Sequence, residues 1–325
     1  MSNTVGAKVI ENAVRLACRA PSLHNTQPWL WVTDGPRLDL FLDHNRVLST
    51  DRSMRDAHIS CGAVLDHLRV AMAAVGWMAN IERFPNPNNA RHLAAVDFTA
   101  EDYVTDAQRR RADAILNRRT DRLPFLPPSD WESFEPLLRS RVDADTVRLD
   151  VLTDEMRPRL AEAARLTESL REYDSLYHSE LRWWTAPFEA TEGIPYSSLV
   201  SAAESDRVDV NRVFPLSHNA ERRTEVTHDY STILMLSTED DSAADALVCG
   251  EVLSTVLLEC TIAGLATCPV THLTELSVSR EILAALTEHS DLPQILIRVG
   301  IAPAVATVPP ATPRRPLADV LRHKN

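Results

Sequence analysis

One short pattern occurs twice in this chain, and it constrains the fold more than any other feature. Cys61-Gly62-Ala63-Val64-Leu65, with apolar residues at helical spacing as far as Gly76, returns as Cys249-Gly250-Glu251-Val252-Leu253 running to Gly264. The offset is 188 residues throughout. Shared Cys, Gly, Val, Leu and Gly positions on a helical period predict two copies of one long buried helix; the competing reading is a chance match of a short apolar pattern. A second pair, Arg37-Leu38-Asp39-Leu40 and Arg148-Leu149-Asp150-Val151, alternates as a strand does and is offset by 111. If both pairs are homologous, the second copy carries 77 extra residues between its strand and its helix.

The excess must fall between Leu152 and Val248. It holds a helix-like run from Arg157 to Tyr177, an aromatic group (Trp183, Trp184, Phe188, Tyr196), a polar stretch to Arg223 and a strand at Ile233 to Leu236. Long insertions of this kind are commonly lids or ordered functional loops. Elsewhere, helices are expected at Val9–Arg19, ended by Pro21, at Asp106–Leu116 and at Pro128–Leu138. Strands are expected at Trp29–Thr33, Leu38–Leu42 and Gln294–Val299, with an extended Pro-rich tail over Val308–Leu317. The expected class is α+β, in two halves, 1–105 and 106–325, with the insertion at about 155–230.

Composition removes several functions. The eight glycines are never closer than fourteen positions, so a dinucleotide fingerprint, a P-loop and a nucleophile elbow are all excluded. A formal charge of −12 with no basic run argues against nucleic acid. Five cysteines without a Cys-x-x-Cys pair fit a reduced, cytoplasmic protein. The most apolar stretch, Val256 to Val270, is interrupted by Glu259 and too short to span a bilayer. No His-Glu-x-x-His or comparable spacing appears among the eleven histidines, so no metal site is expected.

Three separated stretches carry chemistry. Arg19-Ala20-Pro21-Ser22-Leu23-His24-Asn25-Thr26-Gln27-Pro28-Trp29 sets polar side chains between two prolines; Asn117-Arg118-Arg119-Thr120-Asp121-Arg122 concentrates guanidinium groups. Gly264-Leu265-Ala266-Thr267-Cys268-Pro269-Val270-Thr271-His272 follows the second long helix, and Pro313-Arg314-Arg315-Pro316-Leu317 lies near the C-terminus. Taken singly, each has a structural explanation: helix caps and turns for Ser22, Asn25 and Gln27, solvated faces for the arginines, core packing for Cys268.

Together these segments resemble the FMN-dependent nitroreductase family, whose members carry Arg-Arg-Ser-x-Arg, Ala-Pro-Ser-x-x-Asn-x-Gln-Pro-Trp, a Gly-Leu-Gly-Thr-Cys-Pro-like segment and a C-terminal Arg-Arg-Pro-Leu. Thr120 replaces the Ser and Ala266 a Gly. In segment order the chain is most similar to the mycobacterial Acg-type members. The resemblance implies a nitroreductase-like fold, duplicated and fused so that one chain imitates a dimer. The Ala-Pro-Ser segment survives only in the first copy and the Arg-rich segment only in the second, which implies one composite flavin site and a monomer.

By resemblance, Arg118, Arg314 and Arg315 are phosphate ligands of FMN, a role suited to guanidinium forks. Arg119 and Thr120 support the ribityl chain and phosphate, and Arg122 faces flavin N1 and O2, where reduction leaves negative charge. Pro269, Val270, Thr271 and His272 supply the backbone near N5. Pro21, Ser22, Asn25 and Gln27 contact the ring and ribityl chain, with His24 beside the ring. The function implied is that of an NAD(P)H oxidoreductase passing electrons to nitroaromatic or quinone-like acceptors. The alternative is FMN storage or sequestration, with the insertion as a lid over the flavin; the insertion's aromatics would otherwise fill, as core, the place of the lost second site.

Overall fold

The computed structural model describes residues 4–186, 192–218, 220–305 and 310–324. Phe188 and Val308 of the segments singled out above lie outside them. In chain order the elements are α1 (Ala7–Ala17), β1 (Trp29–Asp34), β2 (Arg37–Leu42), α2 (Arg55–Ala73), β3 (Trp77–Arg83), β4 (His92–Ala100), α3 (Asp106–Asn117), α4 (Trp131–Arg139), β5 (Arg148–Leu152), α5 (Arg157–Arg171), α6 (Ser175–Trp184), α7 (Ala202–Asp206), β6 (Thr232–Thr238), α8 (Ala243–Ile262), β7 (Ala266–Val270), α9 (His272–Glu275), α10 (Ser277–Ala284), β8 (Leu292–Gly300), α11 (Leu317–Val320) and β9 (Leu321–His323). The class is α+β, as expected. No helix of the described residues is long and apolar enough to cross a membrane.

The chain forms two compact units that interleave along the sequence. Unit 1 comprises Met1–Arg118, Ser242–Ile262 and Arg314–Asn325; unit 2 comprises Arg119–Asp241 and Ala263–Pro313. They do not follow the division into 1–105 and 106–325, because α8 and the C-terminal residues pack in the unit built mainly from the first third of the chain.

In unit 1 a sheet ordered β3-β4-β2-β1-β9 is antiparallel except where β9 runs parallel to β1. Its alternating residues Leu38, Leu40, Leu42, Trp29 and Trp31 enter the core beside α1 and α2. Helix α2 is buried along nearly its whole length and packs on α8. The repeated glycine makes that approach possible: a Cβ on Gly62 would stand 1.9 Å from the Leu247 carbonyl oxygen, and one on Gly250 2.0 Å from that of Ile59. One turn further along, Ser254 donates to the Asp66 carboxylate at 2.6 Å, again between positions 188 apart.

In unit 2 an antiparallel sheet is ordered β5-β6-β8-β7. Its core contains Phe125, Ile233, Met235, Leu296 and apolar residues of α5 and α10. Arg298, fully buried on β8, is neutralised by Asp229 at 2.6 Å. The orders β3-β4-β2-β1 and β7-β8-β6-β5 are the same succession, and β5 therefore holds the place of β1, not of β2. The matched Arg37 and Arg148 segments are not equivalent; a four-residue alternation recurs wherever a strand is half buried. Gly35 and Pro36 alone link β1 to β2, whereas residues 153–231 link β5 to β6, so the long excess falls in a hairpin connection.

That connection is more regular than the sequence suggests. The single helix expected over Arg157–Tyr177 is two, α5 and α6, because Asp174 accepts from the Tyr177 amide at 3.0 Å and starts a new helix. The short α7 begins with a capping box between Ser201 and Glu204. Strand β9 had no sequence signal, being only three residues long. All five cysteines are buried and none forms a disulfide.

Candidate functional site

The sequence-selected residues divide between the units. In unit 1, Pro21, Ser22, His24, Asn25 and Gln27 occupy the turn between α1 and β1. His24, Asn25 and Gln27 have φ of 49°, 59° and 53°, three left-handed non-glycine residues within four positions, with right-handed Thr26 between them. Such a conformation costs about 1–3 kcal/mol per residue and persists only where the surroundings enforce it. Here they do. The Gln27 amide donates to Ser22 Oγ at 3.0 Å, the Leu23 amide to Ser60 Oγ at 3.2 Å, and Gln27 Oε1 accepts from the Arg315 amide at 2.9 Å.

Arg315 is thereby a fastener. Its guanidinium also donates to the Gln27 carbonyl at 3.3 Å and pairs with Asp43 at 3.4 Å. Arg314 meets the same turn from the helix side, donating to the carbonyls of Cys18 at 2.8 Å, Arg19 at 3.0 Å and Ala20 at 3.2 Å. These are carbonyls at and just beyond the C-terminal end of α1, where a cation is favoured. Arg118 is buried, reaches the Arg19 carbonyl only at 3.4 Å, and leaves its Nε and Nη1 without a hydrogen bond among the described residues.

Arg118, Arg314 and Arg19 repel one another. Burial first, then Arg19, lowers Arg118 to about 10; burial, then Arg118 and Arg19, lowers Arg314 to about 9. Buried arginine donors left unused are costly, and a bound oxyanion would satisfy them and reverse both shifts. Beneath the cluster on α2 lies His67, fully buried and pushed well below its ordinary value by burial and then by Arg118. The cysteine beside the cluster, Cys18, is raised to about 12 by burial and is inert as a thiolate.

In unit 2, Arg119, Thr120 and Arg122 line a cavity of about 230 Å³ together with Ser198, Arg222 and Arg223 of the long connection. Thr120 bridges to Thr267 of β7, and the Asp121 amide donates to the Thr267 carbonyl at 3.0 Å. Asp121 is neutralised by Arg223 at 2.6 Å, and Arg222 by Glu204 at 2.8 Å. Arg122 differs from both. Its guanidinium lies over the Phe214 ring, 5.0 Å from the centroid, and makes no hydrogen bond or ion pair with a described residue. Burial lowers it, with Cys268 and Asp121 acting in the opposite sense.

Pro269 and Val270 are held in β7, opposite Ile297 and Leu296 of β8. Thr271 and Glu275 are clasped by the long connection: Arg212 donates to Thr271 Oγ1 at 2.9 Å and to Tyr177 Oη at 3.2 Å, and pairs closely with Glu275. His272 is buried without a hydrogen bond to either ring nitrogen and is lowered to about 3 by burial and then Arg212, so it is neutral at physiological pH. Cys268 is raised by burial and serves as packing.

Sequence reasoning missed Arg212, Phe214, Arg222, Arg223, Glu275 and His67. The Arg222-Arg223 pair and Phe214 lie in a stretch legible only as polar insertion, and His67 is one histidine on an apolar helix.

No family profile matches the sequence. Among individual proteins it is 60% identical over 317 residues to the "Putative NAD(P)H nitroreductase acg" of Mycobacterium tuberculosis, covering 97% of this chain and 96% of that one. An uncharacterized protein of the same organism is 56% identical over 319 residues, covering 97% and 93%. Among solved structures, the FMN-dependent nitroreductase NfnB of Mycobacterium smegmatis in complex with NADPH matches 68% of this chain and 100% of its own, at 17% identity and a TM-score of 0.42. Identity of this extent over nearly the whole of both sequences places the chain among nitroreductase-like proteins. Within them it belongs to the Acg family.

Proposed function

We propose that this protein binds one FMN per chain and acts as an NAD(P)H-dependent, nitroreductase-like oxidoreductase. The observation that carries the proposal is buried Arg118, whose Nε and Nη1 make no hydrogen bond with a described residue, beside Arg314, both of depressed basicity, an arrangement that fits a phosphate dianion. FMN would be held by Arg118 and Arg314 at its phosphate, by the Ser22–Gln27 turn, by Arg119 and Thr120, and by the Pro269–His272 backbone. Arg315 positions Gln27 from behind. Arg122, a cation without a carboxylate partner, is suited to a group that gains negative charge. Bound FMN supplies reversible electron transfer between NAD(P)H and a nitroaromatic or quinone-like acceptor.

One flavin, and not two, is supported by the distribution of motifs, since neither copy keeps a complete set. The duplication behind that reading is supported by the shared strand order and by the 188-residue spacing of both Gly62–Gly250 and Asp66–Ser254. We place the protein in the reducing cytoplasm on its five buried cysteines, none of them in a disulfide.

A second reading, FMN storage or sequestration, has its own support. Phe214 rests on Arg122, and Arg212 clasps Thr271 and Glu275, so the long connection touches the flavin-directed residues of unit 2 as a lid would. An anaerobic absorbance spectrum before and after excess NADPH, then NADH, separates the two. Bleaching of a protein-bound flavin band supports the oxidoreductase. A bound band that fades only with dithionite supports sequestration, and a protein that cannot be reconstituted with FMN refutes both.

A further inference from the structure

The phosphate-directed cluster of unit 1 contains one group whose charge is not fixed. His67 has no solvent exposure, and neither ring nitrogen makes a full hydrogen bond with a described residue, although the Ala17 carbonyl lies on the imidazole side and favours its protonated form. The charges acting on it most strongly are Arg118 at the end of α3, Arg314 near the C-terminus and Arg19 after α1. The acidic neighbour on its own helix, Asp66, is engaged by Ser254 at 2.6 Å and by Arg69. On α8, Glu251 is engaged by Arg83 at 2.7 Å. The imidazole is therefore a buried base beside three cations, and burial and like charge together outweigh the Ala17 carbonyl and hold it neutral.

Resting on the reading that Arg118 and Arg314 receive a phosphate monoester, we propose that His67 is the titratable member of that cradle, taking one proton from solvent when the phosphate is seated. A dianion beside Arg118 and Arg314 reverses the local field, and an opposite charge close by favours the protonated imidazole. Protonation also gives both ring nitrogens a hydrogen to donate. Linkage fixes the sign: the complex binds a proton that the free protein does not, so His67 adds affinity as the pH falls from neutrality. The limit of its effect is tenfold per pH unit between the free and bound values. The second ionisation of the phosphate itself acts oppositely below about pH 6, so affinity for the phosphate ligand should pass through a maximum.

The test is a calorimetric titration of FMN into flavin-depleted protein in buffers of different ionisation enthalpy, which counts protons exchanged, with riboflavin as the phosphate-free ligand. The wild type should take up more protons per FMN than His67→Asn, by up to one, and riboflavin should show no difference. Equal proton counts in wild type and variant, both binding FMN, overturn the proposal. If the variant does not fold, histidine-selective carbon labelling of the wild type decides: one imidazole resonance moving from neutral to protonated on adding FMN at constant pH supports the inference, and none moving overturns it. Failure of FMN to bind refutes the flavin reading, and the count is then made with inorganic phosphate. Proton uptake absent from His67→Asn supports the cradle; no binding, or uptake that the variant retains, overturns it.

Discussion

Asp229 is fully buried in unit 2, accepting from Arg298 at 2.6 and 3.0 Å, from Arg157 at 2.6 Å, from Ser231 at 2.6 Å and from the Phe125 amide at 2.9 Å. Burial alone would raise its carboxyl, but Arg298 and these donors hold it at about 2. A folded value below the ordinary ~3.9 means that its stabilisation is fully present above about pH 4 and is lost as the pH falls towards 2. Asp229→Asn leaves the Arg298 guanidinium buried without its counter-charge, a loss of about 3–5 kcal/mol. Urea denaturation at pH 7 should show that loss, and repeated between pH 4 and 2 it should show a flatter acid limb than in the wild type. His272 contributes in a different window. Its folded value near 3 lies below the unfolded imidazole's ~6.5, so stability falls as the pH drops from about 6.5 towards 3. His272→Gln should lose less stability than the wild type between pH 7 and 5 in the same assay. At Gly62 the constraint is purely steric, since a Cβ would overlap the Leu247 carbonyl. Gly62→Ala should cost about 3 kcal/mol or more, measured by denaturant midpoint, because backbone cannot yield as a side-chain tip does.

The long connection between β5 and β6 forms its own small core of Tyr177, Leu181, Ile194, Leu199 and Phe214, and Arg212 joins it to the β7–α9 junction. Arg212→Ala removes the nearest cation from half-buried Glu275, leaving Arg171 at 3.8 Å, and removes a donor to Thr271, so the connection should open locally before unit 2 unfolds. Hydrogen exchange followed by mass spectrometry should show faster exchange over α6 and residues 208–218 in this variant, with β6 and β8 unchanged; uniform protection would mean that the apolar core alone holds the connection. This element also marks where sequence reasoning stops. The helices α2 and α8 were legible because glycine and apolar spacing report close helix packing directly. The arginine and Ser22–Gln27 segments were legible through motif. Arg212, Phe214 and Glu275 were not, because their contacts join residues about 60 to 90 positions apart through a segment with no periodicity of its own. At Arg315 the motif supplies a residue type, while its pairing with Asp43 and its amide hydrogen bond to Gln27 depend on neighbours that the motif does not contain.

For the whole molecule, the two units interleave along the sequence. The repeated pattern invites division into 1–105 and 106–325, yet the buried face of α2 is completed by α8, from residues 243–262, and the sheet of unit 1 by β9 at residues 321–323. An isolated fragment 1–118 keeps α1, α2 and four strands but exposes the face of α2 that carries Ile59, Gly62 and Asp66, buried against α8 in the intact protein. Burying such a face contributes about 25 cal/mol per Å² of apolar area, and a small unit has little stability in excess of that. The fragment should therefore fail to fold alone. Trp29 and Trp31, both without solvent exposure, report this directly: the fragment should lack near-ultraviolet circular dichroism and show red-shifted tryptophan emission. Co-expression with fragment 119–325 should restore both signals in a complex of one copy of each, because α8 and β9 return with the second fragment. A folded 1–118 fragment would show instead that this segment is autonomous and that α8 is only an addition to it.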